Sequence, residues 1–435
     1  MKKEWWLAAG VTLATLALAL ATIRHFAPGL LGAPMDLQLV QLDERQPAFF
    51  SGVFRMADLQ STTLTVNDPI TGIRGTPAYP DLVSKGPHDL LGFRNDAALS
   101  VADIVIVGDS QTYGVNASMA LNWPHQLEAA LGRQRLASRV YAMAVGGWAA
   151  PQYLHVGQIS GALRPRVIIV AFYAGNDPLE SFMHVYGSEH WAQLRPDTRL
   201  SAADAPTVQL PVPTDKQWRV PLEGDLSTVM MVEFRRANLR RNVAVDAGWA
   251  IMQTVATRLA EQATAYQAAL IVTLIPTKET AYARLIEQRA VAAPKEYADL
   301  LAEEAQRHQD FSAHVATLSG ARFVDVSARL QEALLAGEAL YPADSDGHPG
   351  VAGYAQIATA IEQAAAPLLP RYPCGPVRFE SRDGIWHQAV ASGDGRYWLD
   401  NTGADSSATS IDERMVESMR ELAEPGPEHA FARCE

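Results

Sequence analysis

Cysteine is scarce in this chain, and basic residues are outnumbered by acidic ones. The 435 residues include two cysteines, 36 lysines and arginines, and 48 aspartates and glutamates. Two thiolates are too few for cysteine-ligated zinc and iron–sulfur sites, and we expect the protein to need no metal or other cofactor. The formal charge of −12 repels a phosphate backbone, and no basic stripe offsets it. We therefore expect no nucleic-acid partner.

Long apolar runs are also rare, and the one that stands out lies at the N-terminus. Residues 5–23 carry no charge, two lysines precede them and Arg24 follows them. Nineteen helical residues span about 28 Å, close to the thickness of a bilayer core, and the lysines favour a cytoplasmic N-terminus. We expect residues 1–24 to anchor the chain in the inner membrane with the remainder in the periplasm. A cleaved signal peptide is the alternative, because small residues near Ala19 offer cleavage sites; both interpretations export the protein.

The two cysteines, Cys374 and Cys434, both lie in the last 62 residues. In an oxidising compartment, two such cysteines are typical of one disulfide. We therefore expect residues 371–435 to form a small C-terminal module closed by this bond.

The pattern of apolar runs predicts a large α/β domain. Residues 25–100 contain many turn-forming residues and resemble a linker followed by an irregular lead-in. Within residues 101–370, short apolar runs alternate with amphipathic helical patterns, which is typical of a parallel sheet covered on both faces. We expect a three-layer, doubly wound, flavodoxin-like fold, with an irregular insertion at about 178–244 that serves as a lid or binding surface. The apolar runs are Ile104–Val107, Val140–Val145, Val167–Phe172, Leu270–Ile275 and Arg322–Val326.

Residues with possible catalytic roles follow three of the predicted strands. In such sheets, ligands bind at the carboxyl ends of the strands. Ser110 follows the first run in a Gly-Asp-Ser turn, Gly147 follows the second and Asn176 follows the third. A serine hydroxyl can act as a nucleophile, while a glycine N–H and an asparagine amide can bind an oxyanion. Taken alone, the turns of Ser110 and Gly147 are more typical of ordinary turn chemistry, and Asn176 also suits a loop asparagine in a left-handed conformation.

A fourth group of polar residues precedes the last predicted helix. His348 lies two residues after Asp346 and four after Asp344, so either carboxylate can be the partner of a histidine base. A calcium loop is excluded, because His348 and Pro349 occupy positions where such a loop needs Asp or Asn and then Gly.

Taken in order, these four groups resemble the SGNH (GDSL) hydrolase superfamily over about residues 89–366. The resemblance implies that Ser110 is the nucleophile and His348 the base. It also implies an oxyanion hole formed by the N–H groups of Ser110 and Gly147 and by the side chain of Asn176.

The sequence departs from the family pattern at two positions. The family's G-x-N-D block has Ala174 in place of its glycine, although Gly175 still permits a tight turn. The usual D-x-x-H block has Ser345 in place of its aspartate. The remaining D-x-H spacing is similar to periplasmic SGNH-like proteins that O-acetylate polysaccharides, and this similarity favours Asp346 over Asp344 as the acid.

Other polar and aromatic residues receive weaker assignments. Lys278 and Glu279 follow a strand end, where they can face the site, but we expect a surface ion pair there. The basic run at 235–241 is most typical of a solvated helix face. His184 and His190 lack a third metal ligand. Four aromatic residues suit either sugar stacking or core packing: Trp148, Tyr173, Trp191 and Trp218.

The resemblance implies a serine esterase, and the predicted export makes acylated carbohydrate of the cell envelope the expected substrate. One alternative is a polysaccharide O-acyltransferase that works with a membrane acyl-donor protein. Another is a catalytically silent, glycan-binding scaffold, although such a scaffold would have no need of the full set of site residues.

Overall fold

The computed structural model describes residues 63–80, 82, 85–99, 101–134, 136–207, 212–222 and 226–370, together with four strands between residues 376 and 411. The predicted anchor at 1–24 and the predicted Cys374–Cys434 disulfide lie outside the described residues. Within the described part of the chain, no helix is both long and apolar enough to cross a membrane.

The described residues up to 370 contain nine strands, and five of them lie close to the five predicted apolar runs. In chain order they are β1 Thr65–Asp68, β2 Gly72–Gly75, β3 Ile104–Gly108, β4 Val140–Ala144, β5 Val167–Tyr173, β6 Trp218–Pro221, β7 Ser227–Met230, β8 Ala269–Ile275 and β9 Ala321–Val324.

Five of these strands form one parallel sheet in the order β4-β3-β5-β8-β9. Every residue of β3, β4 and β5 is buried. A parallel sheet covered on both faces needs apolar side chains on both sides of each strand, which explains why these strands read as continuous apolar runs. The predicted three-layer α/β fold is confirmed.

Helices occupy most of the remaining sequence. In chain order they are α1 Ser110–Tyr113, α2 Trp123–Arg133, α3 Ala150–Ser160, α4 Asp177–Gly187, α5 Val232–Arg236, α6 Val243–Ala265, α7 Lys278–Ala281, α8 Ala283–Gln288, α9 Lys295–Ala316, α10 Ser327–Leu335 and α11 Val351–Ala365.

The longer helices form two layers. Helices α3, α4, α6 and α9 pack against one another, and α2, α10 and α11 form a second group. The chain runs outward from β3 to β4 and then back past β3 to β5. Right-handed crossovers in opposite directions place their helices on opposite faces of the sheet. This reversal at β3 creates a crevice at the carboxyl ends of the strands, where such folds bind ligands.

The segment 178–244 is more regular than the sequence predicted. It contains most of helix α4, the antiparallel hairpin β6–β7 and helix α5, joined by loops and short 3₁₀ turns. Pro178 lies in the first turn of α4, where a proline is tolerated because the N–H there has no helical partner. The insertion therefore contains helices and a strand pair that the apolar pattern did not predict.

The described residues before position 100, apart from Leu82 and Lys85, form a unit of their own. Strands β1 and β2 pair in antiparallel fashion, and the Asp68 carboxylate accepts hydrogen bonds from the N–H groups of Ile70 and Thr71 in the turn. The Asp89 carboxylate does the same for Leu91 and Phe93. Carboxylate-capped turns therefore organise this part of the expected lead-in.

The C-terminal region contains an antiparallel sheet of four strands in chain order. They are β10 Pro376–Glu380, β11 Trp386–Ala391, β12 Tyr397–Asp400 and β13 Thr409–Ile411. All four lie within the predicted module 371–435, whose boundaries stay a prediction.

Candidate active site

Ser110 lies in a tight turn at the carboxyl end of β3. It is the first residue of α1, so its N–H has no acceptor within the helix. The Asp109 side chain caps the helix by accepting a hydrogen bond from the Gln111 N–H at 2.8 Å. At Gly108, a Cβ atom would overlap the side chain of Thr112, so only glycine permits the helix to start this close to the strand. Asp109 therefore orders the turn that presents Ser110.

Asp109 is fully buried beside the serine. Burial raises the pKa of its carboxyl to about 6, although the Gln111 N–H and His348 act in the opposite direction. Its second oxygen lies 3.4 Å from Ser110 Oγ, which is long for a hydrogen bond between two oxygens. The shorter contact of the serine hydroxyl is with His348.

Ser110, His348 and Asp346 form a continuous hydrogen-bonded chain. His348 Nε2 lies 2.8 Å from Ser110 Oγ, and His348 Nδ1 lies 2.6 Å from Asp346 Oδ1. A carboxylate accepts only, so Nδ1 carries the imidazole proton and Nε2 is free to accept the serine proton. Burial opposes ionisation of Asp346, but the hydrogen bond and the nearby His348 hold its pKa well below the usual range. The arrangement can deprotonate the serine and stabilise the resulting imidazolium.

The structure separates the two candidate acids. Asp346 contacts the imidazole, whereas Asp344 is exposed and accepts a hydrogen bond from the Asp346 N–H at 2.9 Å. Asp344 therefore shapes the turn that presents Asp346.

Asn116 is a site residue that the sequence analysis missed. Its side-chain amide donates to Asp346 Oδ2 at 2.9 Å and to the His348 carbonyl at 3.1 Å. It lies in an ordinary polar loop after α1 and its partners are more than 200 positions away. No local pattern could have identified it.

The turn after β4 lies against Ser110. A Cβ atom at Gly146 would be 3.5 Å from Ser110 Cβ, which is ordinary contact. Gly147 is exposed and has a φ of +83°, a conformation that favours glycine. His184 Nε2 lies 3.2 Å from the Gly147 carbonyl oxygen, and burial lowers the pKa of this histidine.

Asn176 lies at the N-terminus of α4, after β5, and its side-chain oxygen is buried without a hydrogen-bond partner. The preceding Gly175 carbonyl accepts a hydrogen bond from Asn238 at 2.9 Å. Because β5 pairs directly with β3, the turns that carry Asn176 and Ser110 emerge at the same edge of the sheet. Asn238, from the segment 178–244, is a second supporting residue that had no local sequence signal.

Two weaker assignments need correction. Lys278 and Glu279 are only 1% and 2% exposed, so the expected surface ion pair was wrong. Arg235 is also buried, with its Nε 3.8 Å from Glu279 Oε2, whereas the run had suggested a solvated face. A buried guanidinium needs an anion and carbonyl acceptors. Glu279, shortly after the end of β8, provides the anion, and the Gly175 turn provides a carbonyl acceptor.

The structure also bears on the roles suggested for the aromatic residues and the histidines. Trp148, Tyr173 and Trp191 are core residues with at most 4% exposure, and half-buried Trp218 packs on Tyr297 with ring centroids 4.8 Å apart. These contacts favour core packing over sugar stacking. Among the described residues, no group of three His, Cys, Asp or Glu side chains is arranged to hold a metal ion.

Comparison with known proteins yields similar solved structures only. No protein-family model matches the sequence, and no curated protein matches it. TesA is 15% identical, and the match covers 61% of this chain and 99% of TesA with a TM-score of 0.35. A GDSL-like lipase from Bacteroides thetaiotaomicron is 12% identical over 60% of this chain and 86% of its own, with a TM-score of 0.31.

A catalytic mutant of Axe2, an acetylxylan esterase from Geobacillus stearothermophilus, is similar at the same level. It is 12% identical over 61% of this chain and 95% of its own, with a TM-score of 0.33. At these values the function of the chain has to follow from its own residues.

Proposed function

We propose that the protein is a serine esterase that hydrolyses ester-linked acyl groups through an acyl-serine intermediate. The observation that carries this proposal is the chain of two short hydrogen bonds from Asp346 through His348 to Ser110, at 2.6 and 2.8 Å. Acyl transfer requires a nucleophile, a base and a residue that orients the base. Here these three groups lie at the crevice of a doubly wound sheet.

The reaction begins when His348 Nε2 takes the proton of Ser110 as Oγ forms a bond to the ester carbonyl carbon. The N–H groups of Ser110 and Gly147 and the Asn176 amide donate to the oxyanion. When the bond between that carbon and the leaving oxygen breaks, His348 returns its proton to the departing alcohol. Water then repeats the sequence in the deacylation step, which releases the carboxylic acid and restores Ser110.

The substrate in this proposal is acylated carbohydrate of the cell envelope. Support comes from the apolar run at residues 5–23, which is typical of an exported, membrane-anchored protein. The net charge of −12 favours neutral acetylated sugars over strongly anionic polymers. The enzyme would then act on the periplasmic side of the inner membrane.

A polysaccharide O-acyltransferase is the second candidate. It is favoured by the contact of His348 with Asp346, two residues before it, rather than with a residue three positions before it. This D-x-H spacing resembles periplasmic SGNH-like O-acetylating proteins. A sugar hydroxyl would then replace water in deacylation, and a membrane acyl-donor protein would supply the acyl group.

The test uses the full chain in detergent, with p-nitrophenyl acetate as substrate and an oligosaccharide as optional acceptor. Because the serine is the nucleophile, we expect Ser110→Ala to lose activity by about 10³-fold or more. Asp346→Asn should reduce kcat by about 10³–10⁴-fold by favouring the wrong imidazole tautomer. Asp344→Asn, the matched control, should cost about tenfold or less.

The outcomes separate the alternatives. Activity in Ser110→Ala equal to that of the wild type would contradict a serine mechanism, and a greater loss in Asp344→Asn than in Asp346→Asn would reverse the assignment of the acid. Acetyl groups on the oligosaccharide would identify a transferase, whereas free acetate alone would identify an esterase.

A further inference from the structure

Lys278 is a buried cation close to the candidate active site. It is the first residue of α7, directly after the turn that follows β8, and is 1% exposed. A lysine this deeply buried is unusual unless its ammonium group has acceptors. The chemistry assigned to Ser110, His348 and Asp346 gives this ammonium group no role.

The acceptors of Lys278 are three backbone carbonyls of a single loop. Its Nζ atom lies 2.7 Å from the Pro342 oxygen, 2.7 Å from the Asp344 oxygen and 3.3 Å from the Asp346 oxygen. An ammonium group has three N–H donors, so these carbonyls use all of them. The loop is thereby fixed to the end of β8 at three points within five residues.

This loop presents the Asp346 carboxylate to His348. Asn116 holds the second oxygen of that carboxylate, and Asp344 accepts from the Asp346 N–H. Lys278 Nζ, itself buried, donates to the main-chain carbonyl of Asp346. The carboxylate therefore has its position set by the backbone contact of Lys278 as well as by its own hydrogen bonds.

We propose that Lys278 is a positioning residue for the catalytic acid: its three hydrogen bonds to the 342–346 loop hold Asp346 where it orients His348. This inference rests on the proposed function, since it gives Lys278 a role in the same serine chemistry. Lys278 does not touch the reacting atoms, and its effect on turnover passes through Asp346 and His348.

The carboxylates around Lys278 favour the charged, ammonium form of its side chain. Burial lowers its pKa to about 8, while the carboxylates of Glu279, Asp344 and Asp346 favour the charged form and Arg235 disfavours it. Only the ammonium form supplies all three donors, because a neutral amine has two. Glu279 is in turn held by the Met231 N–H at 2.8 Å and by Arg235.

The experiment compares Lys278→Met with Lys295→Met, a matched change at an exposed lysine. Steady-state kinetics with p-nitrophenyl acetate should show kcat reduced by about 10–100-fold in Lys278→Met with KM within about twofold, because a displacement of about 1 Å in catalytic geometry can cost 10²-fold. The Lys295→Met variant should match the wild type.

A second measurement does not depend on activity. The His348 Nδ1 proton lies in a short, charge-assisted hydrogen bond to Asp346 and should give a low-field ¹H resonance that is absent in His348→Gln. We expect this resonance to shift or disappear in Lys278→Met and to stay unchanged in Lys295→Met. If the wild type has no esterase activity but the resonance responds, the proposed function fails and the positioning role stands.

An unchanged resonance together with kcat within twofold of the wild type would overturn the proposal. If Lys278→Met does not fold, Lys278→Gln, which keeps amide donors, is measured in the same two ways. Loss of the folded state in both variants would also overturn it, because Lys278 would then be needed for folding rather than for placing Asp346.

Discussion

At the scale of single residues, three carboxyls close in sequence to Ser110 or Asn176 have raised pKa values. Burial raises the pKa of Asp109 to about 6 and of Glu180 to about 7, and the charge of Asp109 adds to the effect on Glu180. The pKa of Asp177 lies well above its usual range, chiefly through burial. Tyr153 Oη and the Tyr173 N–H both donate to Asp177 at 3.0 Å. At pH values between the ordinary and the raised pKa of each carboxyl, the folded chain therefore holds a proton that the unfolded chain releases.

Glu180 provides a test of this linkage. Its pKa is about 7 in the folded chain against 4.5 normally, so between these values the native state binds more protons than the unfolded state. Stability must then fall as pH rises through this window. We expect Glu180→Gln to lack this fall, so that its unfolding free energy relative to the wild type increases by on the order of 3 kcal/mol from pH 4 to pH 8. Denaturant titrations at both pH values measure it.

Glu296→Gln, the same substitution at an exposed glutamate, is the matched control for the Glu180 variant. An unfolding free energy of Glu180→Gln that differs from the wild type by the same amount at pH 4 and pH 8 would contradict the raised pKa.

Single residues also show how far the sequence could predict the site. The turns of Ser110, Gly147 and Asn176 were identifiable because each directly follows an apolar strand, and a sheet brings such turns to one edge. Asn116 and Lys278 bind backbone or side-chain atoms far away in sequence, and their chemical type carries no information about those partners. The choice between Asp346 and Asp344 likewise depended on the path of one loop.

At the scale of elements, the strands were predictable and part of the connecting chain was not. Burial on both faces gives β3, β4, β5 and β8 continuous apolar runs. The segment 178–244 lacks this signal, since its hairpin strands are short and partly exposed. Helix α4 buries Leu179, Phe182, Val185 and Tyr186 among others, but the proline in its first turn obscured its start.

The contact between α4 and α6 gives a prediction at this scale. A Cβ atom at Gly248, in α6, would overlap the backbone carbonyl of Pro178 in α4, and a backbone atom cannot rotate away. We expect Gly248→Ala to force the helices apart and to destabilise the protein by about 1–3 kcal/mol. Denaturant titration measures the change. Gly187→Ala is the matched control, because a Cβ there meets nothing within 4 Å; equal stability of the two variants would show that the helices can separate freely.

At the scale of the whole molecule, the formal charge of −12 should govern how charged substrates approach. An anionic ester is repelled over about 30 Å at 0.01 M salt but over only about 8 Å at 0.15 M. Raising the salt between these values should therefore increase kcat/KM for p-nitrophenyl hemisuccinate several-fold, while kcat/KM for neutral p-nitrophenyl acetate stays constant. The neutral ester is the control for direct effects of salt on catalysis. A decrease for the anionic ester would mean that a local positive field at the crevice outweighs the charge of the chain, and anionic polysaccharide would then replace neutral acetylated sugar as the favoured substrate.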